Sequence, residues 1–389
     1  MEGKKIPKKQ LAKFWKKGYI ETRLKHAVLE TYLSAYWKIL GKKVDGFLYI
    51  DGFAGRGRFD DGSEGSPLLA MRSVADLRRK GSLSVPVRFA FIEADEGNHR
   101  ILRSAALKLA EELKLKEPLI KKGTFQEHIF DVLDELEGGC FRCPTFVFVD
   151  PFGYTDVPLD LIFELAQPRN RELFITFMSH HMGRFLSDQT KSKTFDRVFG
   201  GKSWQQCFFK ERRSHQECLV SLYASTLNRR FSKSIQTFIF PFRVESIEGG
   251  GLYHLIHISH HPKARQVMDN AVSAAGATKR DAFKKEVKEK GLGFSVNDAV
   301  PSSRVEDAII KILVSAGAPV PIFDVVSHLW RQDQFLAFRW RDFEAAVISL
   351  EQSGLIRVER PPGQPKRTRA KRLYPEKGET LRFVDPLAE

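Results

Sequence analysis

Residues 47–57 read Phe-Leu-Tyr-Ile-Asp-Gly-Phe-Ala-Gly-Arg-Gly, an apolar run that ends in an acid and breaks into glycines. Phe47, Leu48, Tyr49 and Ile50 have the length and side chains of a strand buried on both faces. Gly52, Gly55 and Gly57 follow at once, where the chain turns tightly and backbone N–H groups can approach a ligand closely. Asp51, at the strand end, is placed to accept hydrogen bonds from a cationic amine or a hydroxyl. The spacing Asp-x-Phe-x-Gly-x-Gly differs from the Gly-x-Gly-x-x-Gly of dinucleotide-binding turns.

Working outward, the apolar spacing of Leu24, Ala27, Val28, Leu29, Leu33, Tyr36 and Ile39 predicts a helix over 21–41. After strand 47–51, further strands are expected at 87–93, 118–122, 145–150 and 172–178, and helices near 66–79, 96–114, 126–137 and 158–166. Such alternation argues for an α/β fold with a parallel sheet and helices on both faces. Residues 183–231 read as a helical insertion, followed by strands 235–245 and 252–259 around the turn Glu248-Gly249-Gly250-Gly251. A glycine-rich turn between strands this close makes an antiparallel hairpin. Parallel strands closed by a hairpin form the Rossmann-like sheet of S-adenosylmethionine (SAM) dependent methyltransferases, whose first motif the glycine loop also approaches.

That architecture assigns roles. The loop residues Gly52, Phe53, Ala54, Gly55 and Gly57 would offer N–H groups to the cofactor's carboxylate, with Asp51 near its amine. Glu93, ending the second strand, would take the ribose hydroxyls. Asp150-Pro151-Phe152-Gly153-Tyr154 ends the fourth strand, beside the glycine loop at the topological switch point. In amino-methyltransferases an acid or Asn followed by Pro-Pro-aromatic sits there. The polar side chain and a proline carbonyl accept the amine's protons, and the aromatic stacks on the base. Asp150, Pro151, Phe152 and Tyr154 are therefore the candidate catalytic group, although the second proline is absent. No cysteine follows the proline, which argues against covalent attack on a base.

The composition points to a polyanionic partner. Among 389 residues, 63 basic against 48 acidic side chains leave a net charge of +15 and a pI near 9.6. Apolar residues make up 42%, enough for a large core, and no stretch is apolar enough to span a bilayer. With no signal-peptide pattern, the reading is a soluble, cytoplasmic protein without a membrane partner. Cys140, Cys143, Cys207 and Cys218 suit ordinary thiols in a reducing compartment better than a zinc site, because the second pair lacks knuckle spacing. His180, His181, His254, His257, His260 and His261 cluster late, but His254 and His257 fall on opposite sides of a strand, which argues against one metal site.

Residues 1–45 form a basic arm and helix, 46–275 the methyltransferase-type domain, 276–303 a charged linker, and 377–389 a tail. Between the last two, 304–376 reads helix, helix, helix, strand, turn, strand, the order of a winged helix. Its strands would be Ile356-Arg357-Val358 and Arg372-Leu373-Tyr374. Lys366, Arg367, Arg369, Lys371 and Arg372 at its tip suit phosphates, with Arg339, Arg341 and Gln352 offered to a groove.

Several blocks together resemble the three-Cys-motif partner protein family, TcmP. They are Phe47–Gly57 with Gly62-Ser63-Glu64-Gly65-Ser66-Pro67, Phe91-Ile92-Glu93, Asp150–Tyr154, Phe174-Ile175-Thr176-Phe177-Met178 and His261-Pro262-Lys263-Ala264, within residues 20–275. The resemblance implies a Rossmann-like methyltransferase fold and a genomic partner, a radical-SAM-like protein with three cysteines similar to enzymes that repair DNA lesions. It also implies that Thr124 and Phe125 border the adenine, although Thr124 stands where many relatives carry an acid. Three functions stay open: a SAM-dependent methyltransferase acting on nucleic acid, DNA ahead of RNA; a non-catalytic DNA-binding adaptor of the radical-SAM partner; and, more weakly, a nuclease or hydrolase using the late histidines.

Overall fold

Alternation along each strand sorts the core into two layers of different chemistry. The computed structural model describes residues 20–138, 143–211, 215–231, 235–246, 251–276, 292–295, 301–362, 373, 375 and 378–384. Its central sheet has eight strands in the order β3-β2-β1-β4-β5-β7-β6-β8. These are β1 (Phe47–Asp51), β2 (Val87–Glu93), β3 (Leu119–Lys122), β4 (Thr145–Val149), β5 (Arg171–Phe177), β6 (Phe238–Ser246), β7 (Gly251–Ser259) and β8 (Leu292–Ser295). The first five are parallel; β7 runs antiparallel to β5 and pairs with β6 as a hairpin. The sheet is therefore the Rossmann-like methyltransferase arrangement expected from the sequence.

One face is aromatic. Phe47, Tyr49, Phe89, Phe91, Phe146, Phe148, Phe174 and Phe240 point the same way, under α1 (Ile20–Leu40), α2 (Ser66–Arg79), α3 (Glu96–Glu112) and α9 (Pro262–Gly276). The opposite face is aliphatic: Leu48, Ile50, Ile92, Val147, Val149 and Ile175. It packs α4 (Phe125–Glu137), α5 (Leu159–Ala166) and the insertion, α6 (Ser179–Phe185), α7 (Ser192–Phe199) and α8 (His215–Arg230). Period-2 alternation in a parallel sheet covered on both faces produces this sorting. It accounts for much of the high Phe count. The stripe Val28, Leu29, Tyr32, Leu33, Tyr36 and Trp37 seats α1 on the aromatic face, which fixes its N-terminal end above the strand ends.

Three expectations need correction. First, Leu292–Ser295, inside the expected linker, pairs with β6 as an edge strand. Second, β10 (Ile356–Glu359) pairs with β11 (Thr380–Phe383), beyond the expected end of the unit at residue 376. Short β9 (Val320–Pro321) completes that second sheet in the order β10-β11-β9, over α10 (Ser302–Ala316), α11 (Ile322–Trp330) and α12 (Trp340–Gln352). The C-terminal unit thus reaches residue 383, because the segment after β10 is longer than a tight hairpin turn. The basic tip Lys366, Arg367, Arg369, Lys371 and Arg372 lies outside the described residues, as do Tyr374 and Cys140.

Third, Cys143, Cys207 and Cys218 are not ordinary thiols. Cys207 and Cys218 are disulfide-bonded, with Cα atoms 5.7 Å apart, and Cys143 is also disulfide-bonded. The insertion brings Cys207, in the 3₁₀ helix Lys202–Phe209, onto the start of α8. The expectation weighed only spacing along the chain, which does not report this approach. No helix among the described residues is long and apolar enough to cross a membrane.

Candidate functional site

The glycine loop is held from both sides. Gly52 N–H donates to the Phe148 carbonyl at 2.9 Å, and Ala54 N–H donates to the Ile92 carbonyl at 3.0 Å. Glu93 fastens it further: one carboxylate oxygen accepts the Gly55 N–H at 2.7 Å and the other the Asp95 N–H at 2.7 Å. Gly57 sits at φ +72°, in the left-handed region, and a Cβ on Gly65 would come within 3.2 Å of the Gly57 carbonyl. Side chains at these two positions would force the loop apart.

Asp51 lies beneath the loop, fully buried. One oxygen accepts the Phe53 N–H at 3.2 Å; the other, Oδ2, has no hydrogen-bond partner among the described groups. Desolvation pushes its pKa up to about 7, and the Ser66 hydroxyl and Phe53 N–H pull only part of that back. Burial likewise raises the Glu93 pKa against its two N–H donors. A buried acid with an open oxygen is a ready partner for a cation or hydroxyl.

A cavity of about 150 Å³ opens between α1, the glycine loop and the ends of β4, β5 and β7. Its walls include Phe53, Ala54, Gly55, Gly57 and Ser66 on the loop side and Asp150, Pro151 and Phe152 opposite. Thr176, also in the wall, has a buried hydroxyl without a partner. The structure thus brings Phe53, Ala54, Gly55 and Gly57 to one cavity with the Asp150-Pro151-Phe152 block, whereas Asp51, Gly52, Glu93, Thr124 and Phe125 are not in its wall. Among the side chains there that escaped the sequence reading are Lys25 and His26 from α1. Lys25 forms an ion pair with Asp150, and burial lowers the His26 pKa to about 3, which leaves a neutral imidazole. They carried no local signal, since 125 residues separate Lys25 from its partner.

Other candidates lie elsewhere. Tyr154 is buried against Phe195, at 5.5 Å between ring centroids, and does not line the cavity. Thr124 caps α4 in a capping box with Glu127. Phe125 is buried against Gly52, and its ring centroid is 5.4 Å from that of Phe53. Arg339 does not face a groove: it is buried and bonds Asp269 at 2.8 Å, while Asp269 also accepts the Trp340 N–H. Arg341 is exposed beside Asp342. Of the late histidines, His254 bonds Ser179 at 2.7 Å and His257 contacts Glu172 at 3.2 Å, both wholly buried on β7. No group of three or more potential metal ligands occurs among the described residues.

A larger cleft, about 740 Å³, lies apart from these motifs, against α3. Arg58, Arg72, Arg100 and Lys108 line it with Glu112, and both Arg58 and Arg72 pair with Glu64.

No family model matches the chain, and no curated protein does either. Among solved structures it is similar to the O-methyltransferase from Bacillus cereus in complex with SAH, at 14% identity over 59% of this chain and 80% of that one, TM-score 0.33. It is also similar to an O-methyltransferase candidate from Klebsiella pneumoniae, at 11% identity over 65% and 94%, TM-score 0.31. The fold assignment rests on the strand order itself.

Proposed function

We propose that this chain is a SAM-dependent methyltransferase whose donor and acceptor meet in the cavity between the glycine loop and Asp150. The observation that carries this reading is Asp51: a fully buried carboxyl whose Oδ2 lacks a hydrogen-bond partner among the described residues, directly under a glycine loop that Glu93 braces. Of the expected N–H donors, Gly52, Phe53, Ala54 and Gly55 already donate to Phe148, Asp51, Ile92 and Glu93, which leaves Gly57 for the cofactor's carboxylate, with Asp51 on its ammonium. When bound, SAM supplies an electrophilic methyl group on a sulfonium. Asp150, Pro151 and Phe152 then border the acceptor, with Lys25 and His26 of α1 in the same wall.

The cavity is smaller than the roughly 300–1,000 Å³ of ligand pockets. A whole nucleoside ligand therefore requires the loop region around Phe53 and Phe125 to open. This small size also favours the second reading, an adaptor that keeps the fold without the chemistry. The basic cleft at Arg58, Arg72, Arg100 and Lys108 and the +15 charge support a nucleic-acid partner under either reading. The motif resemblance supports a radical-SAM-like, three-cysteine protein as a further partner.

Calorimetry with SAM and with S-adenosylhomocysteine tests the enzyme. Micromolar binding that Asp51→Ala abolishes is expected; absence of binding to folded protein refutes it. Co-purification with the product of a neighbouring three-cysteine gene tests the adaptor, which fails if the two do not associate.

A further inference from the structure

The Asp150 carboxylate, expected to stand open for an exocyclic amine, is occupied. Lys25 enters from α1, its side chain 8% exposed, and pairs with Asp150 Oδ2 at the cavity wall. Its ammonium lies 6.0 Å from the centroid of Phe148 and 5.8 Å from that of Tyr253, so aromatic faces hold it in place. Lys25 and Asp150 are the charged side chains lining the cavity among the described residues, and His26 beside them is neutral.

Resting on the methyltransferase reading above, we propose that the acceptor atom is a hydroxyl oxygen, not an amine nitrogen, with Lys25 as a catalytic cation held by Asp150. The sign of the developing charge decides. A neutral amine becomes positive as its nitrogen bonds to carbon; the Lys25 ammonium opposes that change and, through its ion pair, offsets the help that the Asp150 carboxylate would give it. A hydroxyl becomes negative as it gives up its proton, and the same ammonium favours it. In balance, the hydroxyl oxygen bonds to the methyl carbon while the carbon–sulfur bond breaks and its electron pair stays on sulfur. The hydroxyl proton passes to Asp150 Oδ1, which Lys25 does not engage, and on to water. The products are a methyl ether and a neutral thioether.

The test needs no identified substrate. Two aza-analogues of S-adenosylhomocysteine carry a two-carbon arm on the nitrogen that replaces sulfur. One arm ends in a hydroxyl, the other in an ammonium. By calorimetry the hydroxyl arm is expected to bind roughly tenfold tighter, since like charges at contact distance repel even through a water-like medium. Lys25→Met should bring the preference below about twofold, while Asp150→Asn, leaving the ammonium unopposed, should widen it. S-adenosylhomocysteine serves as the control for an intact site in each variant; if Lys25→Met fails to bind it, Asp150→Asn decides. Equal binding of the two arms, preference for the ammonium arm, or a narrowed preference in Asp150→Asn overturns the assignment. Failure of wild-type protein to bind S-adenosylhomocysteine removes the methyltransferase reading itself, and the inference with it.

Discussion

Glu93 ends β2, and its carboxylate accepts the Gly55 N–H at 2.7 Å, tying the glycine loop to the neighbouring strand across 38 residues of sequence. The same side chain accepts the Asp95 N–H, so it also sets the start of α3. Its hydrogen bonds are thus directed at the protein's own backbone, and its leading contribution is to shape the loop. Any ligand contact uses the lone pairs that remain.

Glu93→Gln turns one acceptor into a donor that faces a backbone N–H. Charge-assisted hydrogen bonds of this kind are worth about 1.5–3 kcal/mol. Affinity for S-adenosylhomocysteine should fall roughly tenfold or more by calorimetry, with a smaller loss of thermal stability.

Asp51 has its pKa pushed up to about 7, so near neutral pH it is partly protonated without a ligand. An ammonium group on its open oxygen favours the carboxylate. Cofactor binding at pH 6.5 should therefore release a fraction of a proton. Calorimetry in buffers of different ionisation enthalpy reads that release, and Asp51→Asn should abolish it.

His26 and Asp51 push the pH dependence of stability in opposite directions. His26 titrates near 3 when folded and near 6.5 when unfolded, so the unfolded state binds more protons between these values and stability rises with pH there. Asp51 titrates near 7 folded against 3.8 unfolded, so across that window the folded state holds the extra proton and stability falls as pH rises. His26→Gln should leave the falling trend from this pair and Asp51→Asn the rising one. Thermal melts from pH 4 to 7, compared with wild type, separate them.

Arg339 was offered to a nucleic-acid groove, but it neutralises buried Asp269 where α9 meets the start of α12. Removing one partner of a buried pair costs about 3–5 kcal/mol. Arg339→Ala should cost much of that in urea unfolding while changing S-adenosylhomocysteine affinity by less than about twofold. Loss of nucleic-acid affinity without loss of stability would contradict the structural role.

Gly52 admits no side chain: a Cβ there would fall 2.4 Å from the Phe125 ring. Gly52→Ala should destabilise by about 1–3 kcal/mol through overpacking. Phe125→Leu in the same chain should recover part of that.

The sequence by itself determined the Rossmann-like sheet. Strands β1 to β7 announce themselves by local composition, and the closing hairpin by its proximity in sequence, as with Phe47–Asp51 and Phe238–Ser259, whereas edge strand β8 does not. It also marked the glycine loop and the Asp150 block, because tight turns at strand ends demand particular residues. Only the tertiary structure decided what those residues face. The Lys25–Asp150 pair, the Cys207–Cys218 bridge, buried Arg339 and the late strand β11 arise from packing or pairing between segments whose local patterns do not name a partner. Hydrophobic periodicity says which side of α1 is buried. Where along the sheet its Lys25 comes to rest is fixed by the fit of Tyr32, Tyr36 and Trp37 against the aromatic layer, a property of shape that no local pattern encodes.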